Sequence, residues 1–310
     1  MNLIIITGQT ATGKTKLALE YAKKYDGELV NFDSRQVYQY LDIITGKDLP
    51  AKTGNGSGLV WLYDVVKPDQ YYSSFEYVKD VQIVIKDIIN RGKTPILVGG
   101  SYFYLKHLLY GFDYKVPPDF KLRKELNKKS VEQLQDILNK IDDKSLNQMN
   151  NSDRNNPRRL IRRIEIEKCN SSTKIPSLSS LRKQGSRLKM NMIDRIPAYA
   201  GMTKGEKNFS QIFIGLRYMD KEKLRLAIKL RVEKRLKQGA IKEVKRLLTM
   251  GYKKTDPGLK TIGYKQIVEY LEGVTNESQA VENWITAEVQ YAKRQYTFMK
   301  KDNNILWKEI

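Results

Sequence analysis

Cysteine and histidine are almost missing from this sequence. Of its 310 residues, only Cys169 is a cysteine and only His107 is a histidine. A disulfide framework and a cysteine zinc site are therefore excluded. A histidine-rich metal site or a Ser-His catalytic triad is not expected either. His107 lies in the helical run Tyr102–Tyr110, and we interpret it as a packed or solvated side chain.

Long apolar runs are missing too. No stretch of the sequence reaches the ~20 apolar residues that a membrane-spanning helix needs. The first residues have the pattern of a strand and a glycine-rich loop, without the charged segment and cleavage site of a signal peptide. We therefore expect no membrane association and a cytoplasmic location.

Acidic residues are outnumbered. The 56 Lys and Arg residues stand against 35 Asp and Glu residues, which gives a formal net charge of +21. Such an excess favours a polyanionic partner, most simply a nucleic acid. A need for solubility would produce the same excess, and composition alone does not separate the two interpretations.

What the sequence does contain is a complete phosphate-binding loop between a predicted strand and a predicted helix. The apolar run Leu3–Thr7 precedes the loop and is typical of a buried parallel strand. Glycines allow the backbone to wrap an anion, and the helix N-terminus directs N–H groups at it. The lysine would add a full charge, and the final threonine a hydroxyl group for Mg²⁺. The loop consists of Gly8, Gln9, Thr10, Ala11, Thr12, Gly13, Lys14 and Thr15.

Strands and helices alternate through the first hundred residues, which predicts an α/β fold with a doubly wound parallel sheet. Glu28–Asp33 and Thr94–Val98 are the next predicted strands, and Ser73–Glu76 is a capping box before a helix. The strand ends bring Gly8–Thr15, Asp33-Ser34 and Gly99–Ser101 to one edge of the sheet. Ligands bind at that edge in open α/β sheets.

Changes in composition predict four segments. Residues 1–115 form the first part of the P-loop core, and 116–168 form an inserted small helical subdomain after Val116-Pro117-Pro118. Cys169–Gln211 lacks periodicity and carries an excess of positive charge, which predicts a flexible insert. Residues 212–310 complete the core and are mostly helical.

Asp33 is the only acidic residue that follows a predicted strand at this edge. Its carboxylate could ligate a metal or accept a proton from a nucleophile. It could equally cap the turn that follows the strand. The strand before Gly99-Gly100 ends without the carboxylate that ATP-using P-loop enzymes place there, so the loop could hold a different pyrophosphate.

Three segments combine Lys or Arg with side chains that can pack or stack: Pro157–Arg163, Lys260–Lys265 and Lys293–Lys300. Each alone is typical of a solvated helix face. Together with a phosphate cleft they favour a folded RNA over a free nucleotide.

With these motifs assembled, the chain resembles the bacterial tRNA dimethylallyltransferases, over almost its whole length outside Cys169–Gln211. Each motif alone is weak evidence, but their ordered combination is very specific. The matching segments are Gly8–Thr15, Asp33–Tyr38, Leu97–Tyr104, Asn156–Arg159, Gly263–Gln266 and Lys293–Thr297.

The resemblance implies a P-loop fold and transfer of a dimethylallyl group from dimethylallyl pyrophosphate to N6 of the adenosine 3′ to the anticodon. It implies that Thr10 and Arg235 contact the diphosphate, that Mg²⁺ is held near Thr15, and that Asp33 takes the N6 proton. The tRNA anticodon stem-loop is the implied partner of a protein that we expect to be a monomer. The positions that match tRNA contacts are Asp33, Ser34, Arg35, Gln36, Ser101, Arg123, Pro157, Arg158, Arg159, Leu160, Ile161, Lys260, Thr261, Ile262, Gly263, Tyr264, Lys265, Lys293, Arg294, Gln295, Tyr296, Thr297, Phe298, Met299 and Lys300.

Two other functions compete with this one. A small-molecule or nucleotide kinase of P-loop fold would turn over ATP but leaves the basic segments without a purpose. A non-catalytic RNA-binding protein would keep the scaffold after losing activity, and the basic insert 169–211 departs from the family pattern in a way that leaves this open.

Overall fold

Six parallel strands form the central sheet of the computed structural model, which describes residues 2–47, 60–112, 116, 118–173 and 210–310. Their order is β3-β2-β4-β1-β5-β6. The predicted parallel sheet is confirmed. The two-residue strand β3 was not predicted, because so short a run carries no periodicity. The strands are β1 (Asn2–Gly8), β2 (Gly27–Asn31), β3 (Val60–Trp61), β4 (Thr94–Val98), β5 (Ser210–Arg217) and β6 (Leu306–Glu309).

Helices follow the strands and cover the sheet. The helix predicted after Ser73 is confirmed, with the capping box in place. Of the described helices, none is long and apolar enough to cross a membrane. The helices are α1 (Lys14–Lys24), α2 (Ser74–Asn90), α3 (Tyr102–Tyr110), α4 (Phe120–Leu126), α5 (Val131–Ile141), α6 (Asp143–Gln148), α7 (Asn151–Arg154), α8 (Pro157–Thr173), α9 (Lys221–Lys237), α10 (Ala240–Thr249), α11 (Tyr264–Leu271) and α12 (Glu277–Met299).

Strand β1 is the centre of the sheet and is covered on both faces. It pairs with β4 and β5, so that Ile5 lies opposite Leu97 on one side and Phe213 on the other. Successive side chains of a strand point to opposite faces. Ile4 and Ile6 therefore pack in one cluster with Ala18 of α1, whereas the Thr7 hydroxyl on the other face lies 3.1 Å from the Met299 sulfur of α12. The sheet is doubly wound, as predicted.

The chain divides into two compact units. One contains residues 2–110 and 210–310, and the other begins at Gly111, five residues before the expected boundary at 116. The second unit contains α4 to α8 within its described part. Its core is built from leucine and isoleucine side chains of α4, α5 and α8, namely Leu126, Leu134, Leu138, Leu160, Ile161 and Ile164.

The predicted insert Cys169–Gln211 is wrong at both ends. Helix α8 continues from Cys169 to Thr173, and β5 begins at Ser210. The sequence hides the end of this helix because asparagine, serine and threonine there have weak helix propensity. Residues 174–209 lie outside the described part of the chain. His107 is packed as predicted: its Nδ1 lies 2.7 Å from the Ser74 hydroxyl oxygen.

A buried carboxylate fixes the turn at Asp42–Ile44, in the segment between β2 and β3. Glu243 of α10 is 4% exposed. Its Oε2 accepts hydrogen bonds from the N–H groups of Asp42 (2.9 Å) and Ile43 (2.7 Å), and its Oε1 accepts from the N–H of Ile44 (3.3 Å). The Tyr264 hydroxyl also donates to Oε1, over 2.5 Å. One side chain thus satisfies polar groups that would otherwise be buried without partners.

We expect Glu243→Gln to lower the free energy of unfolding by about 1–3 kcal/mol, because an amide NH₂ would replace an accepting oxygen opposite backbone donors. Urea denaturation measures the change. Glu233→Gln on the solvent side of α9 is the control, since Glu233 is 43% exposed and forms a long ion pair of 3.9 Å with Lys229. Equal stabilities for the two variants would contradict this account.

Candidate active site

The phosphate-binding loop adopts a backbone that an anion can enter. Gly8 has a φ of 135°, and a Cβ at this position would collide with the Leu216 carbonyl of β5. Ala11 (φ 62°) and Gly13 (φ 76°) also have left-handed backbone. Helix α1 then begins at Lys14 without a side-chain cap. Its first N–H groups are therefore available to bind an anion, as the sequence predicts.

Gln9 anchors this loop to the core. Its N–H donates to the Leu216 carbonyl (3.1 Å), and its side-chain Oε1 accepts from the Tyr218 N–H (2.7 Å). Its side-chain Nε2 donates to the Ala292 carbonyl of α12 (3.4 Å). Gln9 was predicted to bind the diphosphate as part of the loop. Its side chain is buried, and its backbone N–H and side-chain amide are engaged within the protein.

The Lys14 ammonium group lies inside the loop, where its Nζ donates to the Gln9 carbonyl over 2.6 Å. Burial and, to a smaller extent, repulsion from Arg231 lower the pKa of Lys14 to about 7, although the Asp33 carboxylate acts in the opposite direction. These three charged side chains are therefore close enough to influence one another. Such a perturbed group at the end of a central strand is typical of a functional site.

The arginine that reaches the loop is Arg231, not the predicted Arg235. Arg231 of α9 donates from Nη1 to the Thr10 hydroxyl. Arg235, one helical turn later, is 4% exposed and donates from Nη1 to Glu288 of α12 over 3.1 Å. Both arginines lie on the buried side of α9, and the resemblance pointed to Arg235 alone. Only the packing of α9 against the loop selects between them.

Asp33 lies at the same edge of the sheet, two residues after the last residue of β2. Its N–H donates to the Asn31 side chain (2.7 Å), and its Oδ1 accepts from the Arg35 N–H (2.9 Å). The turn-capping interpretation is therefore confirmed for one oxygen. The Asp33 carboxylate also acts to raise the Lys14 pKa, so its negative charge lies near the phosphate-binding loop.

Ser34 and Ser101 join the ends of β2 and β4. The Ser34 N–H donates to the Ser101 hydroxyl oxygen over 2.9 Å, and the Ser101 hydroxyl donates to the Ser34 hydroxyl over 3.0 Å. Tyr291 of α12 lies near Ser101, and burial raises the pKa of its phenol to about 12. Tyr291 was not predicted, because a tyrosine in an amphipathic helix carries no signal of its own.

Gln295 connects the phosphate-binding loop to the loop after β4. Its Oε1 accepts from the Thr10 N–H (2.9 Å), and its Nε2 donates to the Gly100 carbonyl (3.0 Å). This side chain, for which a tRNA contact was predicted, is 6% exposed. It holds two ligand-binding loops at a fixed separation instead.

The other positions predicted to contact tRNA divide into exposed and buried side chains. In the sheet-containing unit the exposed ones include Phe298, which is 47% exposed. Thr261, Gly263, Tyr264 and Met299 are buried and cannot present a side chain to RNA. The exposed ones are Arg35, Lys260, Lys265, Lys293, Arg294, Thr297, Phe298 and Lys300, while Ser34, Gln36, Ile262 and Tyr296 are partly exposed.

In the helical unit, α8 presents its first turn to solvent. Pro157, Arg158 and Arg159 are exposed, whereas Leu160 and Ile161 belong to the core. Arg123 forms a two-pronged hydrogen bond with Glu165, at 2.5 Å and 2.7 Å. This pairing holds the pKa of the Glu165 carboxyl below its usual value against the opposing effect of burial.

The donors near the loop suit a hard divalent cation. Thr15, in the first turn of α1, is partly exposed, and its hydroxyl and the Asp33 carboxylate are the kind of oxygen ligands that Mg²⁺ accepts. Within the described residues no three His, Cys, Asp or Glu side chains are grouped closely enough to hold a metal ion. A cation bound here would therefore take most of its ligands from the phosphates and water, as Mg²⁺ does in phosphate sites.

Comparison with known proteins adds independent evidence. The model of the family described as IPP transferase matches residues 36–302. The chain belongs to the IPP transferase family. It is 35% identical to the tRNA dimethylallyltransferase of Acetivibrio thermocellus, over 99% of this chain and 91% of that protein. It is 33% identical to the one from Endomicrobium trichonymphae, over 98% of this chain and 94% of that protein.

Solved structures of the family have the same fold. The tRNA isopentenylpyrophosphate transferase of Bacillus halodurans has a TM-score of 0.64 and 29% identity, and the alignment covers 99% of this chain and 89% of that one. The corresponding protein of Staphylococcus epidermidis has a TM-score of 0.62 and 31% identity, with 99% and 93% covered. The fold is thus the P-loop fold of the tRNA isopentenyltransferases.

Lys14 makes a testable contribution to stability. With a folded pKa of about 7 against the ordinary lysine pKa of 10.5, the folded state binds fewer protons than the unfolded state between these pH values. Stability therefore rises with pH in that window, and the cost of burying the ammonium is fully present below pH 7. We expect Lys14→Met to stabilise the protein at pH 6 by on the order of a few kcal/mol, and much less at pH 10.

Urea denaturation of both proteins at pH 6 and pH 10 measures this difference. Lys16→Met, on the exposed side of α1, is the matched control and is expected to show no pH-dependent gain. A Lys14→Met stability difference that stays constant across the two pH values would disprove the lowered pKa.

Proposed function

We propose that this chain transfers a dimethylallyl group from dimethylallyl pyrophosphate to N6 of the adenosine 3′ to the anticodon, in tRNAs that read codons beginning with U. One observation carries the proposal: Lys14, Arg231 and the open N-terminus of α1 converge where Asp33 brings a carboxylate. A diphosphate needs the first three, and an attacking amine needs the fourth. Membership in the IPP transferase family supports the same conclusion.

The reaction forms one carbon–nitrogen bond and breaks one carbon–oxygen bond. The N6 nitrogen attacks C1 of the allylic chain, and the electron pair of the breaking bond passes to the bridging oxygen of the departing pyrophosphate. The loop N–H groups, Lys14 and Arg231 stabilise that negative charge, since donors arranged in advance need not reorganise during the reaction. Asp33 accepts the N6 proton as general base.

A divalent cation, which we propose to be Mg²⁺, completes this charge balance. Thr15 would supply an oxygen ligand near the loop, and the diphosphate would supply others. When bound, the cation neutralises charge on the departing pyrophosphate. The chain's own contribution is to hold the diphosphate in the loop, so that the reacting atoms meet in one orientation.

The partner that we propose is the anticodon stem-loop of a tRNA, bound by a monomer in the cytoplasm. The target adenosine must leave its stack to reach Asp33, at a cost of a few kcal/mol. Contacts elsewhere on the RNA must offset that cost. The exposed cations Lys293, Arg294 and Lys300 flank the buried Gln295 near the end of α12, and Arg158 and Arg159 lie in the first turn of α8. Both groups can contact phosphates.

The decisive assay offers unmodified tRNA, labelled dimethylallyl pyrophosphate and Mg²⁺ to the chain. Label in the tRNA is the expected result, and it should be confined to adenosine. Phosphate transfer from ATP with no prenyl transfer would favour a kinase, and tight tRNA binding without transfer would favour an RNA-binding protein. Either of these results would reject the proposal.

Asp33→Asn tests the general base in the same assay. The amide cannot accept the N6 proton, so we expect kcat to fall by roughly 10²–10⁴-fold. The KM for tRNA should change little, because the Arg35 N–H can still donate to the amide oxygen. Asp69→Asn, at an exposed position of the same unit, is the control. A large rise in KM at unchanged kcat would identify Asp33 as a binding residue.

The basic end of α12 is tested by the salt dependence of tRNA binding. Affinity falls as salt rises, and each phosphate contact that is lost reduces the steepness of log affinity against log salt by about one. We expect the double change Lys293→Ala/Arg294→Ala to lower the slope by about two. Lys79→Ala/Lys86→Ala removes two exposed lysines of α2 and should leave the slope unchanged. Equal slopes in all three proteins would exclude this end of α12 from the tRNA interface.

A further inference from the structure

Glu288 is a buried carboxylate directly behind the arginine that reaches the phosphate-binding loop. It lies on α12, one turn after Trp284, and is 6% exposed. Its Oε1 accepts hydrogen bonds from the Trp284 indole N–H (2.8 Å) and from Nη1 of Arg235 (3.1 Å). Its Oε2 lies 3.9 Å from Nη1 of Arg231. One carboxylate therefore faces two guanidinium groups.

The same Nη1 of Arg231 also donates to the Thr10 hydroxyl. It thus lies between the loop and Glu288. Gly46 limits the guanidinium on a further side, because a Cβ at Gly46 would come within 2.9 Å of Nη2 of Arg231. Thr10, Glu288 and Gly46 therefore restrict the Arg231 side chain from three directions before any ligand binds, which lowers the entropic cost of binding.

The charges also combine in a definite way. Two arginines and one glutamate leave one net positive charge, and Arg235 is the more buried of the two cations, with 5% side-chain exposure against 28% for Arg231. Glu288 compensates Arg235 through a direct hydrogen bond. Arg231 lies farther from the carboxylate, so more of its positive charge is left to attract an anion in the loop.

We infer that Glu288 is a positioning residue for Arg231, holding that guanidinium against Thr10 so that it meets the diphosphate. This inference rests on the proposed function. The competing interpretation is a purely structural ion pair between Glu288 and Arg235. That interpretation predicts effects on stability alone, and none on catalysis through Arg231.

The test removes the carboxylate without leaving a buried unpaired cation. Arg235→Met serves as the reference protein, and Glu288→Gln is added to it; glutamine keeps an acceptor for the Trp284 indole. We expect the added change to lower kcat for prenyl transfer at least tenfold, with the KM for tRNA within twofold of the reference. Glu288→Asp in the same reference withdraws the carboxylate by one methylene and should give an intermediate kcat.

A matched control lies on the same two helices. Arg225 of α9 and Glu282 of α12 form an exposed ion pair with the same spacing in sequence as Arg231 and Glu288. Glu282→Gln added to Arg225→Met should leave kcat within twofold. Thermal unfolding of all proteins separates loss of fold from loss of positioning. A Glu288→Gln kcat equal to the reference would overturn the inference.

A double-mutant cycle supplies the second measurement. If Glu288 acts through Arg231, then Glu288→Gln has no further effect on kcat once Arg231→Ala is present, because residues of one network are not additive. Full additivity would overturn the inference. The affinity of the same proteins for inorganic pyrophosphate, measured by calorimetry, should show the same pattern. If the parent chain transfers no prenyl group, the proposed function fails, while this calorimetric cycle still decides the role of Glu288.

Discussion

Repulsion between cations at the end of β1 is the constraint that this structure has to satisfy. Burial lowers the pKa of Lys14, and Arg231 lies close enough to contribute to the same shift. Such a group of like charges is unfavourable unless other parts of the fold hold it together. Asp33 and Glu288 supply compensating charge from two different elements. These like charges thus reduce the stability of the folded protein at the place where a polyanion would bind.

Helix α12 supplies most of the contacts that hold the site together. Trp284, Glu288, Ala292, Gln295 and Met299 recur at intervals of three or four residues, so they share one face of the helix. Along that face they contact an arginine pair, the Gln9 amide, the Thr10 N–H and the Thr7 hydroxyl. The opposite face carries the exposed basic residues. A single helix therefore joins the catalytic loop to the surface that we propose for RNA.

The sequence predicted the fold well because the strands and the loop have strong local patterns. An apolar run followed by glycines, lysine and threonine specifies Gly8–Thr15 almost unaided, and the capping box at Ser73 specifies the start of α2. The order of β3 and the continuation of α8 were not predicted. Both depend on tertiary contacts or on residues with weak local preference.

Within the site, local patterns identified the loop and Asp33, but they could not say which side chains face the ligand. Arg231 and Arg235 lie four residues apart on one buried stripe, and only packing decides which of them reaches Thr10. Gln295 stands within a basic motif and was assigned to the surface with its neighbours. Its two hydrogen bonds to separate loops exist only in three dimensions.

Because the pKa of Lys14 is lowered, the charge of the phosphate-binding loop depends on whether a ligand is bound. Burial and the charge of Arg231 lower the pKa of the amine to about 7 against the opposing effect of Asp33, and an incoming polyanion favours the ammonium form. A proton would therefore enter from solvent with the donor and depart when pyrophosphate leaves. A lysine with a lowered pKa binds a highly charged product less tightly than a permanent cation would, and this favours release of pyrophosphate.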